Sequence, residues 1–410
     1  MAAESANRES REIDPKHEFL IRVGEVLHRH GTPSHRLENV ISKIADRLGV
    51  EGFCFYTPTS LLISITDENG EATYLRRVNS GTVDVDKLVR FDETLERLEA
   101  NELDIEGARS ELEKVEGDKS TYPTWLTAVA CSISCASVAV FFKGSLIEIF
   151  VSAVLGLFVA ILEIVSANLK WERGLLEPLS GLFVSVAALA VAQFLMPIDD
   201  RLVTLASLIV MIPGLRLTLA LNELAVGHLN AGVSRFAGAC VDLLTMTVGV
   251  AVGWRLVGHW RNIPAVGVWQ DSVWWMWVAI VVAPIMFAII FRARWPQWPP
   301  ILAVSVAGFL ASLYGGNFWG IEVGAALGAL AVGCGSNLYA RLLNRPALVT
   351  LTPGILILVP GSLGYRSLTA FLDNNTIAGI DFAFQMAIVG VALVGGILTA
   401  NVVVPPKRIL

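Results

Sequence analysis

Long apolar stretches with few internal charges follow one another through the C-terminal part of the chain. We count ten candidate spans, at 124–142, 146–167, 176–196, 202–222, 232–257, 273–291, 300–315, 318–340, 347–370 and 381–404. About 20 helical residues cross a hydrocarbon core of roughly 30 Å, so each span is of suitable length except the short seventh. The mean hydropathy of +0.60 also lies outside the range of soluble proteins. The sequence therefore predicts a polytopic α-helical membrane protein.

The residues before the first span have a different character. Residues 1–16 are polar and predict a disordered leader without an apolar signal core. Residues 17–121 predict a small α/β domain that stays in the cytoplasm. Its helices are expected from His17, from a capping Ser34, and over 86–100 and 105–115. Its strands are expected at FCFYTP, SLLISIT and ATYLRRV, the last two joined by a DENG turn.

The basic residues between spans predict the orientation. One side carries Lys170, Arg173, Arg235, Arg292, Arg294, Arg341, Arg345, Lys407 and Arg408. The other side carries Lys143, Arg201, Arg261 and Arg366. Because cytoplasmic loops are enriched in Lys and Arg, both termini are expected in the cytoplasm.

Two of the spans contain a Pro-Gly pair. IVMIPGLRLTLALNEL holds Pro213-Gly214 in the fourth span, and ILVPGSLGYRSLTAFLD holds Pro360-Gly361 in the ninth. The spans therefore divide into two repeats of five, at 122–258 and 273–404, and an odd number per repeat inverts the second relative to the first. Inverted repeats with interrupted helices are typical of secondary transporters that bind solute near mid-membrane.

Polar residues around the two breaks are candidates for substrate binding. The first break supplies Pro213, Gly214, Arg216, Thr218, Asn222 and Glu223. The second supplies Thr352, Pro353, Gly354, Pro360, Gly361, Ser362, Tyr365 and Arg366, with two proline interruptions expected. A buried arginine suits a carboxylate, although Arg216 could instead extend to the nearby membrane surface.

Further residues suit coupling or packing. Glu163 and Asp242 lie deep in spans and are candidates for proton coupling. Glu148 and Glu322 lie near span starts, where a solvated role is expected. Asn337 and Asn401 are expected to form interhelical hydrogen bonds, and a close-packing ridge is expected at Gly320, Gly324 and Gly328.

Other functional classes receive little support. The net charge of −6 and the lack of a basic stripe argue against nucleic-acid binding. No phosphate-binding loop, metal-ligand spacing or cofactor motif is present, and the five cysteines form no CxxC pair. His35, Arg36 and Glu38 leave a membrane-anchored hydrolase as an alternative, with a solvated helix face favoured. A small-molecule substrate and the lipid bilayer are the expected partners, and the sequence leaves homo-oligomerisation open.

Four stretches together resemble a known family. They are GTPSHRLENVISKIADRLGV, RRVNSGTVDVDKL, IPGLRLTLALNELAVGHLNAGVSRFAGA and TPGILILVPGSLGYRSL. They are similar to the threonine/serine exporter family in its bacterial fused form, with a cytoplasmic domain before ten spans. The resemblance implies export of threonine and serine across the inner membrane, driven by the proton-motive force, by antiport or proton-coupled efflux. Leu219 after Thr218 departs from the common motif, and dicarboxylates such as succinate are an alternative substrate.

Overall fold

The computed structural model describes residues 13–78, 81, 83–172, 174–257 and 274–406. The chain forms two compact units, one ending at Lys119 and one beginning at Ser120. Most of the predicted leader lies outside the described residues, as do Arg173, Arg261, Lys407 and Arg408, which entered the orientation prediction.

The N-terminal unit combines four helices with a three-stranded antiparallel sheet in the order β1-β2-β3. The elements are α1 Pro15–Arg29, α2 Ser34–Leu48, β1 Glu51–Thr57, β2 Ser60–Asp67, β3 Gly70–Arg77, α3 Val85–Glu99 and α4 Ile105–Gly117. Alternation in β2 buries Leu61, Ile63 and Ile65 completely or nearly so, beneath α1 and α2.

Two boundaries in this unit differ from the sequence-based expectation. The leader was expected to extend to residue 16, but α1 begins at Pro15 because the Asp14 side chain accepts a hydrogen bond from Lys16 N. Ser34 was expected to cap α2, but it is the first helical residue and Pro33 occupies the cap position.

The second unit is entirely helical in its described part, apart from connecting turns. Its helices are α5 Thr124–Phe141, α6 Leu146–Asn168, α7 Leu176–Phe194, α8 Asp200–Leu208, α9 Gly214–Ala225, α10 Leu229–Val257, α11 Trp274–Ile290, α12 Trp298–Trp319, α13 Ile321–Leu343, α14 Leu348–Leu356, α15 Gly361–Leu372 and α16 Thr376–Val403. Among the described residues, eight segments are long and apolar enough to cross a membrane, with α14 and α15 counted as one. The seventh predicted span is not short, since α12 has 22 residues.

Helix packing follows the same pattern in both halves of this unit. Helix α8 packs against α5, α6 and α7, and α14 packs against α11, α12 and α13. Helices α9 and α15 each pack against both α10 and α16. The predicted interhelical bond is confirmed, because Asn337 Nδ2 donates to Asn401 Oδ1 at 2.9 Å between α13 and α16. The two interrupted helix pairs therefore lie at the centre of the unit.

Candidate functional site

The two helix interruptions touch each other. The first separates Leu208 from Gly214, and the second separates Leu356 from Gly361. A Cβ built on Gly361 would lie 2.7 Å from Ile212 Cγ2 and 3.0 Å from Gly214 Cα, and one built on Gly214 would lie 3.3 Å from Gly361 Cα. Only residues without side chains permit such a close backbone approach. The two breaks therefore cross in direct backbone contact.

Proline and helix geometry explain why each chain segment breaks there. Pro213 and Pro360 have no N–H to continue the preceding helix, and each occupies the cap position of the next one. New helical bonds start with Leu217 N to Pro213 O at 3.0 Å and Gly364 N to Pro360 O at 3.3 Å. The first N–H groups of a helix have no partner within it and carry partial positive charge. Two helix N-termini thus begin at the crossing.

The expected second proline interruption is absent. Pro353 lies inside α14, which continues from Leu348 to Leu356, so the prediction of two breaks in this span is wrong. Its neighbours Thr352 and Gly354 are buried, and a Cβ on Gly354 would lie 2.8 Å from Val332 Cγ1. These residues pack α14 against α13. Neighbouring helices therefore surround Pro353, and a membrane helix tolerates proline in such surroundings.

Arg216 and Asp242 form an ion pair beside the crossing. Arg216 lies in the first turn of α9, and Asp242 lies near the middle of α10. Arg216 Nη1 donates to Asp242 Oδ2 at 2.5 Å. The arginine side chain is 64% exposed and the aspartate side chain 24% exposed, so the surrounding helices do not enclose the pair. The structure brings together a predicted substrate-binding residue and a predicted proton-coupling residue.

A second, buried ion pair joins the same two helices. Both carboxylate oxygens of Glu223, which is fully buried, accept from Arg235 at 2.9 and 3.0 Å. On the same helix, Thr218 is buried and donates to Gly214 O at 3.2 Å. Asn222 is also buried, and its Oδ1 has no hydrogen-bond partner among the described residues. The polar face of α9 therefore offers one unsatisfied acceptor next to a fixed ion pair.

The predicted binding residues on α15 lie in different surroundings. Tyr365 is buried in an apolar cluster that includes Ile212, and its hydroxyl has no partner within the described part of the chain. Ser362 is half-buried in the first turn, directly after the crossing. Arg366 is half-buried, and its guanidinium lies 4.6 Å from the centre of the Phe142 ring. A cation over an aromatic face is stabilised electrostatically, so Phe142 fixes Arg366 at the end of α5.

A cavity with charged and apolar lining residues lies beside the N-terminus of α8. It encloses about 150 Å³ and is lined by Leu189, Asp200, Arg201, Ala251, Trp254, Arg255, Leu372 and Asp373. Both terminal guanidinium nitrogens of Arg201 donate to the Asp373 carboxylate, with Nη2 to Oδ1 at 2.7 Å. The Arg201 guanidinium also lies 4.4 Å from the centre of the Trp254 ring. This pair connects the start of the first interrupted helix to the end of the second.

The remaining predicted residues lie elsewhere. Glu163 is exposed on α6, which packs against α5, α7 and α8, whereas Asp242 lies on α10. Gly320 joins α12 to α13 at φ 97°, and Cβ atoms on Gly324 and Gly328 would lie 2.5 Å from Ser312 O and 2.8 Å from Ser312 Cβ. These glycines lie where α12 and α13 pack closely.

Sequence reasoning missed three partners in these ion pairs. The orientation prediction places Arg235 between spans, but this residue lies inside α10 and is only 13% exposed. An acid and a base flanking a short turn, as in Glu223 and Arg235, could have indicated the pair. Arg201 enters only the orientation prediction, and no sequence pattern points to Asp373. No local signal connects them, because they are 172 residues apart.

Comparisons with known proteins identify a family for most of the chain. Two models of the threonine/serine exporter family match residues 18–257 and 276–403. No solved structure matches the chain.

Curated relatives include fungal membrane proteins. Pheromone-regulated membrane protein 10 of Eremothecium gossypii is 24% identical, over 86% of this chain and 49% of that protein. The Kluyveromyces lactis protein of the same name is 25% identical, over 87% of this chain and 39% of that protein. An uncharacterised Schizosaccharomyces pombe protein is 23% identical, over 96% of this chain and 56% of that protein. The chain spans about half the length of the curated relatives it matches. With family models matching nearly all of its length, the chain belongs to the threonine/serine exporter family and is a multi-pass membrane protein.

Proposed function

We propose that this protein is a secondary active exporter of threonine and serine, driven by the proton-motive force, with substrate bound where the two interrupted helices cross. The observation that carries the proposal is the backbone contact between Gly214 and Gly361. Interrupted helices in a membrane need polar surroundings for their free backbone groups, and a polar solute or water supplies them. The family membership supports transport rather than hydrolysis by the N-terminal unit.

The ten spans of the proposal form two inverted repeats of five, 122–258 and 273–404. The α8–α9 pair counts as the fourth span and the α14–α15 pair as the ninth. The corresponding contacts of α8 and α14 within their own halves support this arrangement. The equivalent contacts of α9 and α15 with α10 and α16 support it further. Relative motion of two such halves around a fixed central site would expose it to each side in turn.

Polar groups at the crossing and further along the two helices that begin there match an amino acid. The N-termini of α9 and α15 favour the substrate carboxylate because they carry partial positive charge. The unsatisfied Asn222 Oδ1 can accept from the ammonium or hydroxyl group, and the Tyr365 hydroxyl can bind the remaining polar atoms. A buried polar group without a partner costs about 1–3 kcal/mol, which a bound solute or water would offset.

The Arg216–Asp242 pair supplies a coupling mechanism. A proton that binds Asp242 removes the charge that holds Arg216 Nη1 at 2.5 Å. Without that proton, Asp242 can hold the ammonium group and Arg216 the carboxylate of one bound amino acid, so a proton that binds Asp242 displaces the substrate. Substrate and proton thereby compete for the same two side chains, as exchange of one for the other requires. Glu163, on α6, stays a second predicted proton site.

The proposal includes an orientation. Both termini lie in the cytoplasm, so the cavity at Arg201 and Asp373 faces the opposite side of the membrane. The ion pair between these residues closes that side. A bacterial inner membrane remains a prediction, since the relatives described above are fungal.

Flux in liposomes tests the proposal. Purified protein is expected to move labelled threonine in response to an imposed proton gradient, with serine competing. Arg216→Ala and Asp242→Asn are expected to reduce this flux at least tenfold. Arg341→Ala is the matched control, because Arg341 is an exposed arginine on α13 that donates to Pro405 O. Flux of succinate in place of threonine would revise the substrate, and no flux of threonine, serine or succinate would refute transport.

A further inference from the structure

The sheet of the N-terminal unit has one apolar face that no described element of that unit covers. Four large side chains on it are exposed: Phe53 by 70%, Phe55 by 48%, Leu62 by 36% and Leu75 by 66%. The strand register places Phe55, Leu62 and Leu75 in one row across the three strands. Alternation directs the neighbouring residues to the opposite face, which α1 and α2 cover. Contiguous apolar surface of this kind marks an interaction site.

Charges at the two ends of this face have opposite signs. The row Glu51, Thr66 and Glu71 lies at one end, and the row Thr57, Ser60 and Arg77 lies at the other. Glu71 accepts from Ser64 Oγ at 2.6 Å, which holds its carboxylate on the face. Neither Glu71 nor Arg77 forms an ion pair with any residue that the structure describes. Both lie on β3, six residues apart in sequence.

We propose that this face pairs with the same face of a second copy of the chain. A twofold axis between the two sheets, perpendicular to the strands, places each strand over its own equivalent in the reverse direction. Glu71 of each copy then meets Arg77 of the other, and the Phe53 row lies over the Phe55 row. A self-complementary patch of this kind is what an isologous dimer requires.

The charges select this arrangement over the alternatives. An axis parallel to the strands would instead place the acidic ends of the two copies over each other. Glu51 of one copy would then face Glu71 of the other, and like charges repel. An anionic lipid surface would likewise meet these two carboxylates. Sheets that pack face to face lie about 10 Å apart, which leaves room for the phenylalanine and leucine side chains between them.

The face is small, so membrane anchoring contributes to the pairing. Eight residues at about 3.3 Å along three strands about 4.8 Å apart cover roughly 380 Å² per copy. A standard interface buries about 800 Å² per partner, so this contact alone is weak. Confinement of both copies to one bilayer raises their effective concentration and allows a weak contact to persist.

The oligomeric state of the full chain tests this inference. Mass photometry of the protein in large nanodiscs is expected to show a dimer. Glu71→Arg or Arg77→Glu is expected to raise the dimer dissociation constant at least tenfold, and Glu71→Arg combined with Arg77→Glu is expected to restore dimers. Glu106→Arg is the matched control, because Glu106 is exposed on α4 away from the sheet. Thermal unfolding of each variant verifies folding.

Chemical labelling distinguishes other occupants of the face. Cysteine replacing Ser64, in the centre of the sheet, is expected to link two copies through a short bis-maleimide, whereas Glu106→Cys is not. A monomeric wild-type protein, or dimers that neither charge reversal weakens, would overturn the inference. Protection of the Ser64 position by lipid, or by the helical unit of the same chain, would also overturn it. Failure of the double reversal to restore dimers would reject the proposed axis.

Discussion

Substitution of alanine at Gly361 tests the crossing of the two broken helices most directly. Ordinary Cβ contacts begin at 3.4 Å, whereas an added Cβ at Gly361 would lie 3.0 Å from Gly214 Cα and 2.7 Å from Ile212 Cγ2. The Gly214 backbone must therefore move by about 0.4 Å (3.4 − 3.0) and the Ile212 methyl by about 0.7 Å (3.4 − 2.7). Overpacking of this kind costs about 1–3 kcal/mol. Gly361→Ala should lower both stability and flux.

Gly214→Ala should be milder, and the difference is informative. Its added Cβ would lie 3.2 Å from Val359 Cβ and 3.3 Å from Gly361 Cα, so shifts of about 0.1–0.2 Å (3.4 − 3.3 and 3.4 − 3.2) suffice. Alanine gains helix propensity of about 0.5–1 kcal/mol at either position, which offsets much of the small packing cost at Gly214 but only part of the larger cost at Gly361. In the double variant the two methyl groups face each other, so the loss should exceed the sum of the single losses.

Thermal unfolding in detergent and threonine flux in liposomes measure these effects. Gly238→Ala is the matched control, because a Cβ at this position in α10 would have nothing within 4 Å. The expected order of stability is Gly238→Ala, then Gly214→Ala, then Gly361→Ala, then the double variant. If Gly361→Ala matched Gly238→Ala in both assays, the backbone contact at the crossing would be refuted.

Three further predictions concern charged and titratable groups. Glu223→Gln should destabilise the protein by about 3–5 kcal/mol, since it disrupts a buried bidentate pair with Arg235, and an unchanged unfolding midpoint would contradict this. Arg201→Asp should alter threonine flux, because it breaks the ion pair that closes the side of the protein with the Arg201 cavity. The added substitution Asp373→Arg should restore flux. If it does not, the pair has no role in closing that side. Burial, with a smaller effect of the nearby Glu38 charge, raises the pKa of the Cys54 thiol to about 12. The pKa of the thiol in the unfolded chain is about 8.5, so the folded state keeps this proton to higher pH than the unfolded state. The free energy of unfolding should therefore fall as the pH rises from about 9 towards 12, by at most about 1.4 kcal/mol per pH unit. The Cys54→Ala variant should lack this component, and identical pH dependence of the two proteins would refute it.

The sequence predicted the local features of the fold well. Hydropathy identified the membrane unit, and β-branched alternation identified all three strands of the N-terminal unit. The Pro-Gly pairs located both helix interruptions, because proline ends a helix wherever it lacks support from neighbouring helices. The same reasoning failed at Pro353, where packing of α14 against α12 and α13 keeps the helix intact.

The partners of the polar residues could not be predicted from the sequence. The sequence predicts separate roles for Arg216 and Asp242, but helix packing brings Arg216 Nη1 to 2.5 Å from Asp242 Oδ2. The Arg201–Asp373 pair also depends on which helix ends converge in the folded unit. Charge alone does not indicate a partner, since each ion pair requires two helices at a particular separation and rotation.

The division between sequence and tertiary structure therefore has a physical basis. Hydrophobic periodicity, backbone restriction by proline and the freedom of glycine act within a few residues, so the sequence by itself determined the membrane class, the helical spans and the positions of the breaks. Contacts such as that of Gly214 with Gly361 join residues far apart in the chain. Only the packed arrangement of the helices decided that the two breaks meet and that Arg216 is held by a carboxylate beside them.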